Sequence, residues 1–269
     1  MRLQTRTILM TAAWVLTSSA GCQSAPPPTV EQQLTAAKTQ LMAADYRADF
    51  AGLQRLRDEA LPLAADPAWG YLARYWAGFA SWRQAVNGAS HGMSNEELRA
   101  HLERAAADFD ASLRLREDFA DSHAAAAAVN GWLSQFHRDD TAALRKGIEV
   151  YKQHLARAKA LEPDNPRVLW VEAIPYLVLP ADKGGDRARA IELYRRMVEV
   201  SGPPVASSPL PDWGKPEGLM SLAYAHLRQP EPDLESAQKE ARAALGLQPD
   251  WSYVKDILLP QIETARGSK

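Results

Sequence analysis

Cysteine is almost missing from this chain. The single Cys22 among 269 residues excludes an internal disulfide and any thiolate zinc site inside the fold. None of the six histidines (91, 101, 123, 137, 154 and 226) forms the His-x-x-x-His pair that puts two imidazoles on one helix face. Gly-x-Ser-x-Gly is absent, which removes the nucleophile elbow of a serine hydrolase. The phosphate loop Gly-x-x-x-x-Gly-Lys-[Ser/Thr] is absent too. Lys183-Gly184-Gly185-Asp186 resembles one only superficially, because Asp186 fits a helix N-cap better. A basic surplus is also lacking: 31 Lys and Arg face 33 Asp and Glu, for a formal charge of −2. That excludes the electrostatic footprint of a nucleic-acid binder. These absences predict a protein that is not an enzyme and uses no metal or cofactor.

What is present is an alanine-rich, 46% hydrophobic chain with 24% charged residues, a balance that suits a folded domain and argues against wholesale disorder. A length of 269 residues is near the limit for one compact core but ordinary for an elongated array.

The N-terminus has its own pattern. Arg2 and Arg6 precede the apolar run Ile8–Leu16, too short to span a bilayer but suited to a secretory signal core. Thr17-Ser18-Ser19-Ala20-Gly21 supplies small residues directly before Cys22. This arrangement resembles the bacterial lipoprotein box. The resemblance implies cleavage after Gly21, removal of residues 1–21, and acylation of Cys22 on its thiol and new amine. Ser19 stands where that box usually has a large aliphatic residue, and Ser18-x-Ala20 also reads as an ordinary signal-peptidase site that would leave a soluble periplasmic or secreted protein. Loss of Arg2 and Arg6 takes the formal −2 to −4 in the mature chain. Multiple acyl chains hold a protein stably at a membrane. Gln23 rather than aspartate after Cys22 points, by the same resemblance, to the outer membrane facing the periplasm. Residues 22–29, with Pro26-Pro27-Pro28, form a stiff tether.

From residue 30 to 266 the chain reads as helices. Val30–Ala44 and Ala48–Leu63 are expected to pair, with Leu34, Ala37, Leu41 and Ala44 on one side and Phe50, Leu53 and Leu56 on the other. Asp66-Pro67 should start a third helix, Ala68–Val86, followed by a loop at Asn87–Gly92. Ser94 and Glu97 form a capping box for the next. Beyond it, small and large residues recur at fixed spacing: Ala105/Phe109/Ser112, Tyr151/Leu155/Ala158, Ala190/Tyr194/Met197 and Ala237/Ala241/Ala244. Pro163 and Pro249 close two of these sets, and Ala126-Ala127, Leu169/Ala173/Tyr176 and Leu222-Ala223 supply partner helices. This pattern over Glu96–Ile262 resembles the tetratricopeptide-repeat family, with Val30–Val86 continuing the array. The resemblance implies an all-α, right-handed α-solenoid of about 10–11 helices whose inner face binds a peptide or partner helix.

Several features depart from the repeat. Residues Ser134–Gly147 lengthen one hairpin beyond the ~34-residue unit. Pro175 should kink or end the helix Arg167–Leu179. Asp250 should cap a last helix, Trp251–Ala265, interrupted at Pro260. The stretch Ser201–Gly218 carries five prolines and Trp213, and long loops of this kind are often functional. Trp213 is the best single binding candidate, or else a buried latch that holds the loop down. The stripe Tyr71, Tyr75, Trp76, Phe79 and Trp82 reads as core at helical spacing, with a ligand groove as the alternative. Glu172, among Trp170, Val171, Ala173 and Ile174, either sits at the solvent edge or is a carboxylate with a raised pKa. His123 and His154 are expected to be packed, hydrogen-bonded residues.

The function these readings imply is an exported, lipid-anchored scaffold that binds an envelope protein or peptide. The alternative is a small-ligand module: Gly184-Gly185-Asp186 and the export signal resemble the T components of tripartite periplasmic transporters. An enclosed pocket of Trp170, Glu172 and Tyr176 would mark that case.

Overall fold

The computed structural model describes residues 27–267. The leader 1–21, Cys22 and the tether up to Pro26 lie outside the described residues, as do Ser268 and Lys269. Among the described residues there are eleven α-helices and no strand. They are α1 (Val30–Tyr46), α2 (Phe50–Ala60), α3 (Gly70–Ser90), α4 (Asn95–Leu115), α5 (Ala120–Ser134), α6 (Thr141–Leu161), α7 (Pro166–Val178), α8 (Arg187–Val200), α9 (Lys215–Leu227), α10 (Leu234–Leu247) and α11 (Leu259–Gly267). The chain is all-α, and none of these helices is long and apolar enough to cross a membrane.

Local chemistry explains most of the helix starts. The first amides of a helix have no intrahelical acceptor, and a short polar side chain satisfies them. Thr29 with Gln32 and Ser94 with Glu97 form reciprocal capping boxes at α1 and α4. Asp49, Asp140, Asn165, Asp186 and Asp233 do the same service at α2, α6, α7, α8 and α10.

Consecutive helices pack against each other along the chain. The odd helices α1, α3, α5, α7 and α9 also touch one another in succession, and no comparable packing joins the even ones. The helices therefore form two layers, with the odd layer drawn together and the even layer spread. The alternation of small and large residues supplies the crossings. Ala105, Phe109 and Ser112 on α4, Ala190, Tyr194 and Met197 on α8, and Ala237, Ala241 and Ala244 on α10 are all buried. On α3, a Cβ added at Gly78 would meet the Phe109 ring of α4 at 2.9 Å. Gly78→Val should therefore force the two helices apart and cost roughly 1–3 kcal/mol, read as a drop in denaturation midpoint with an unchanged slope.

Several helix boundaries differ from the sequence-based expectation. The stretch Asn87–Gly92 is not a loop from its start, because α3 continues to Ser90. The Asn87 amide donates to both the Asp45 carbonyl and its Oδ1, at 3.0 and 2.9 Å, and this buried anchoring overrides the weak helix propensity of Asn-Gly. Pro175 does not end α7 early; the helix runs to Val178. Proline leaves the Val171 carbonyl without its usual donor, and the Tyr151 hydroxyl lies 3.5 Å from it. The last helix does not start with an Asp250 cap, and Pro260 does not interrupt it. A π-helical stretch, Tyr253–Leu258, leads directly into α11, and such widened turns relieve a ladder that a proline disrupts. The long connection is shorter than 201–218, since α9 starts at Lys215. Lengthening at Ser134–Gly147 takes the form of a 21-residue α6.

The end of α1 meets the last helices of the described residues. Tyr46 at the end of α1 packs edge-on to Trp251, ring centroids 4.9 Å apart, within the core cluster formed by α9, α10 and α11.

Candidate functional site

Residues Ser201–Gly214 contain no helix and lie along side chains of α1, α3 and α7. The Trp76 indole on α3 donates to the Pro209 carbonyl at 2.8 Å. Lys38 on α1, only 3% exposed, donates to the Val205 carbonyl at 2.9 Å and to Asp212 Oδ2 at 2.6 Å. Asp212 Oδ2 also accepts from the Val205 amide at 2.8 Å, so one carboxylate ties the loop to itself and to α1. Arg167 at the start of α7 donates to the Trp213 carbonyl at 3.2 Å, and its Nε donates to Asp121 Oδ1 of α5 at 2.6 Å.

The side chains beneath this segment are aromatic. Trp213 is buried, and its indole donates to the Tyr75 hydroxyl at 3.1 Å. Its ring lies 6.2 Å from Phe79, 6.2 Å from Trp82 and 6.0 Å from Trp170. Of the two readings open for Trp213, its placement is that of a latch, and the side chain is not offered to solvent. Trp76 is likewise interior, so its ring is unavailable as an exposed contact. Burial pushes the Tyr75 hydroxyl far above its ordinary range, so it remains a protonated partner for Trp213.

Beside this segment, α1, α3 and α9 share a buried polar network. Arg83 Nε donates to Asp45 Oδ1 at 2.7 Å. The Tyr46 hydroxyl donates to Glu217 Oε1 at 2.5 Å, and the Gly214 amide donates to Glu217 Oε2 at 2.8 Å. Burial pushes up both the Glu217 carboxyl and the Tyr46 hydroxyl. Glu217 thus joins the end of the proline-rich segment to the first helix.

The three residues nominated for an enclosed ligand pocket are not brought together. The Trp170 ring faces Trp82 and Trp213, and its indole donates to Ser221 at 3.0 Å. Tyr176 packs at the margin of the main core. Glu172 instead borders an open cleft of about 740 Å³ together with Lys159, Arg189, Arg195 and Arg196. It is neither free at a solvent edge nor unpaired among apolar groups, since Lys159 Nζ lies 2.6 Å from its carboxylate.

His123 and His154 form a pair with Nδ1 atoms 3.0 Å apart. His123 Nε2 lies 2.9 Å from the Glu117 carbonyl, which can only accept. That places a proton on Nε2, and in the neutral ring Nδ1 then accepts from the His154 Nδ1–H. Burial lowers both pKa values, which favours the neutral rings. Among the described residues no group of three or more His, Cys, Asp and Glu is arranged to hold a metal ion.

A second polar pair lies between α9 and α10. His226 Nε2 and Glu240 Oε2 are buried without a hydrogen-bond partner, and Nε2 is 3.7 Å from Glu240 Oε1. Burial pushes the Glu240 carboxyl up to about 7, with nearby Asp233 adding to the rise while Arg195 and Lys239 oppose it. A raised carboxyl binds a proton more tightly in the folded state, so folding loses stability as pH rises from the unfolded value near 4.5 through the folded one. Glu240→Gln should accordingly stabilise the fold by about 1–2 kcal/mol at pH 8 and leave it nearly unchanged at pH 4. Chemical denaturation at the two pH values checks this, and equal effects at both would contradict it.

Sequence reasoning missed Lys38, Asp45, Arg83 and Arg167 as parts of the site. The signal was available in α1: Leu34, Lys38, Leu41 and Asp45 share one helical stripe, and two charges on an otherwise apolar stripe mark buried partners. No protein-family model matches the chain, and no curated protein does either.

Proposed function

We propose that this chain is an exported, lipid-anchored scaffold with a right-handed, tetratricopeptide-like solenoid, and that it binds a protein or peptide partner at the cell envelope. One observation carries the reading: α1, α3 and α7 together hold a long helix-free segment of the chain through contacts to its backbone carbonyls. Holding peptide segments on an inner face is what helical-repeat arrays do. The two-layer packing and the repeated small-large crossings support the repeat class, and the residues before and at Cys22 support the address. Anchoring on Cys22 then confines the partner to the surface of the outer membrane, facing the periplasm.

Crosslinking and pull-down from native membranes tests this, with tagged wild type beside Cys22→Ser. Wild type should fractionate with the outer membrane, carry the mass of an acylated terminus and enrich one envelope protein. Cys22→Ser should lose the acyl mass and the membrane fraction. A wild-type chain that stays soluble, or that enriches no protein while a small molecule co-purifies in native mass spectrometry, would overturn the scaffold reading.

A further inference from the structure

Charge is not spread evenly over the helices of the even layer. There α2 and α10 each carry two Lys or Arg against two Asp or Glu, and α4 carries three against five. By contrast α6 and α8 together carry nine against three, in a chain whose formal charge is −2. These two helices do not pack closely on each other, and the open cleft of about 740 Å³ lies between them, over α7. We propose that this cleft and the cationic faces beside it are a docking surface for an acidic segment of a partner protein, with carboxylates at several nearby positions. The proposal rests on the scaffold reading and specifies where the partner docks and by what chemistry.

Side chains of α1, α3 and α7 are already engaged by residues 201–214, whereas this cleft opens where the even layer is spread. Arg189 and Arg196 line one wall, seven residues or about 10 Å apart along α8. Lys159 lines the opposite wall and continues a stripe through Lys152 and Arg145 at the same seven-residue spacing. All three of these α6 cations are exposed. Among the described residues, Arg145, Lys152 and Arg195 have no carboxylate within ion-pair distance. The cations that do have partners hold them loosely. Arg189 pairs with Glu192 and Arg196 with Glu199, each one turn away on an exposed helix surface. Such exposed pairs contribute little, and a guanidinium with five N–H donors retains several for an incoming carboxylate. Glu172 shows how a carboxylate sits here: Lys159 holds it at 2.6 Å across the gap between α6 and α7. Leu169 and Leu193 also line the cleft, so a docked segment buries aliphatic surface while its charges pair. A flat anionic bilayer cannot enter a space between two helices, which favours a peptide segment as the occupant.

The test uses the full mature chain and a fluorescent eight-residue peptide of alternating glutamate and leucine, beside its glutamine counterpart. Fluorescence anisotropy at low salt should show saturable binding of the glutamate peptide and at least about tenfold weaker binding of the glutamine one. Arg195→Gln with Arg196→Gln should weaken binding of the glutamate peptide at least about tenfold. Arg145→Gln with Lys152→Gln on α6 should weaken it several-fold, and Arg99→Gln with Arg114→Gln on α4 should leave it within about twofold. All six side chains are exposed, so each variant should keep the wild-type melting temperature. No saturable binding, equal binding of the two peptides, or equal losses in the α4 and α8 variants would each overturn the proposal. Cys22→Ser protein that sediments with phosphatidylglycerol vesicles through Arg195 and Arg196, while ignoring the peptide, would overturn it in favour of a membrane face. Peptide binding without any envelope partner in the pull-down would sink the scaffold reading alone. A partner captured equally by wild type and by Arg195→Gln with Arg196→Gln would sink this proposal alone.

Discussion

Asp45→Ala is expected to destabilise the protein by about 3–5 kcal/mol, the range for removing one partner of a buried ion pair, with a fall in melting temperature on the order of 10 °C. The carboxylate is 2% exposed and accepts from Arg83 Nε at 2.7 Å and from Asn87 Nδ2 at 2.9 Å. Alanine leaves the Arg83 guanidinium, itself 7% exposed, without its counter-charge and away from water. The loss comes from that stranded cation more than from the pair itself. Changing both residues, Asp45→Leu with Arg83→Met, should therefore recover a large part of the stability, since an apolar pair avoids the desolvation cost. A double-mutant cycle by chemical denaturation reads the coupling, and a double variant as unstable as the sum of the two single changes would contradict this account.

Trp213→Ala should cost a similar ~3–5 kcal/mol, as large aromatic-to-alanine changes in cores do. The indole is 6% exposed and its removal empties the space among Tyr75, Phe79, Trp82 and Trp170. It also deletes the bond from Trp213 Nε1 to the Tyr75 hydroxyl, 3.1 Å long, leaving a buried phenol without that donor. Trp213→Phe retains most of the packing and should cost about 1 kcal/mol from the hydrogen bond. Thermal melts rank the series, and cleavage at residues 203–208 should rise in the same order. A Trp213→Ala protein as stable as wild type would show that the segment is not held by this side chain.

Much of the helix order was legible because it depends on short-range chemistry. Ser94 with Glu97, Asp186 after Gly184-Gly185, and Asn165-Pro166 are capping signals that act within a few residues of each other, and each begins a helix where expected. The recurring small and large residues on α4, α8 and α10 were legible for the same reason, since helical spacing alone puts them on one face. Misplaced boundaries arose where partners distant in sequence decide. Asp45 keeps α3 helical through Asn87, and the neighbouring Tyr151 lies against the carbonyl that Pro175 leaves open.

The site was less legible than the fold. Its donors come from α1, α3 and α7, and nothing in Lys38, Trp76 or Arg167 taken singly says that all three meet one segment. The alternatives left open for Trp213 were settled by burial, which is a property of the packed molecule.

By itself the sequence determined an all-helical fold, the position of most helix starts and the faces that must be buried. Capping, periodicity and local composition act within a turn or two, so they are written into neighbouring residues. Only the tertiary structure decided that the first helix closes against the last ones, that Lys38 and Asp45 are interior, and that the proline-rich segment packs across α1, α3 and α7. Those outcomes depend on contacts between residues far apart in sequence, from 38 positions for Asp45 and Arg83 to 174 for Lys38 and Asp212, where the free energy of burial and charge pairing exists only once the layers have assembled.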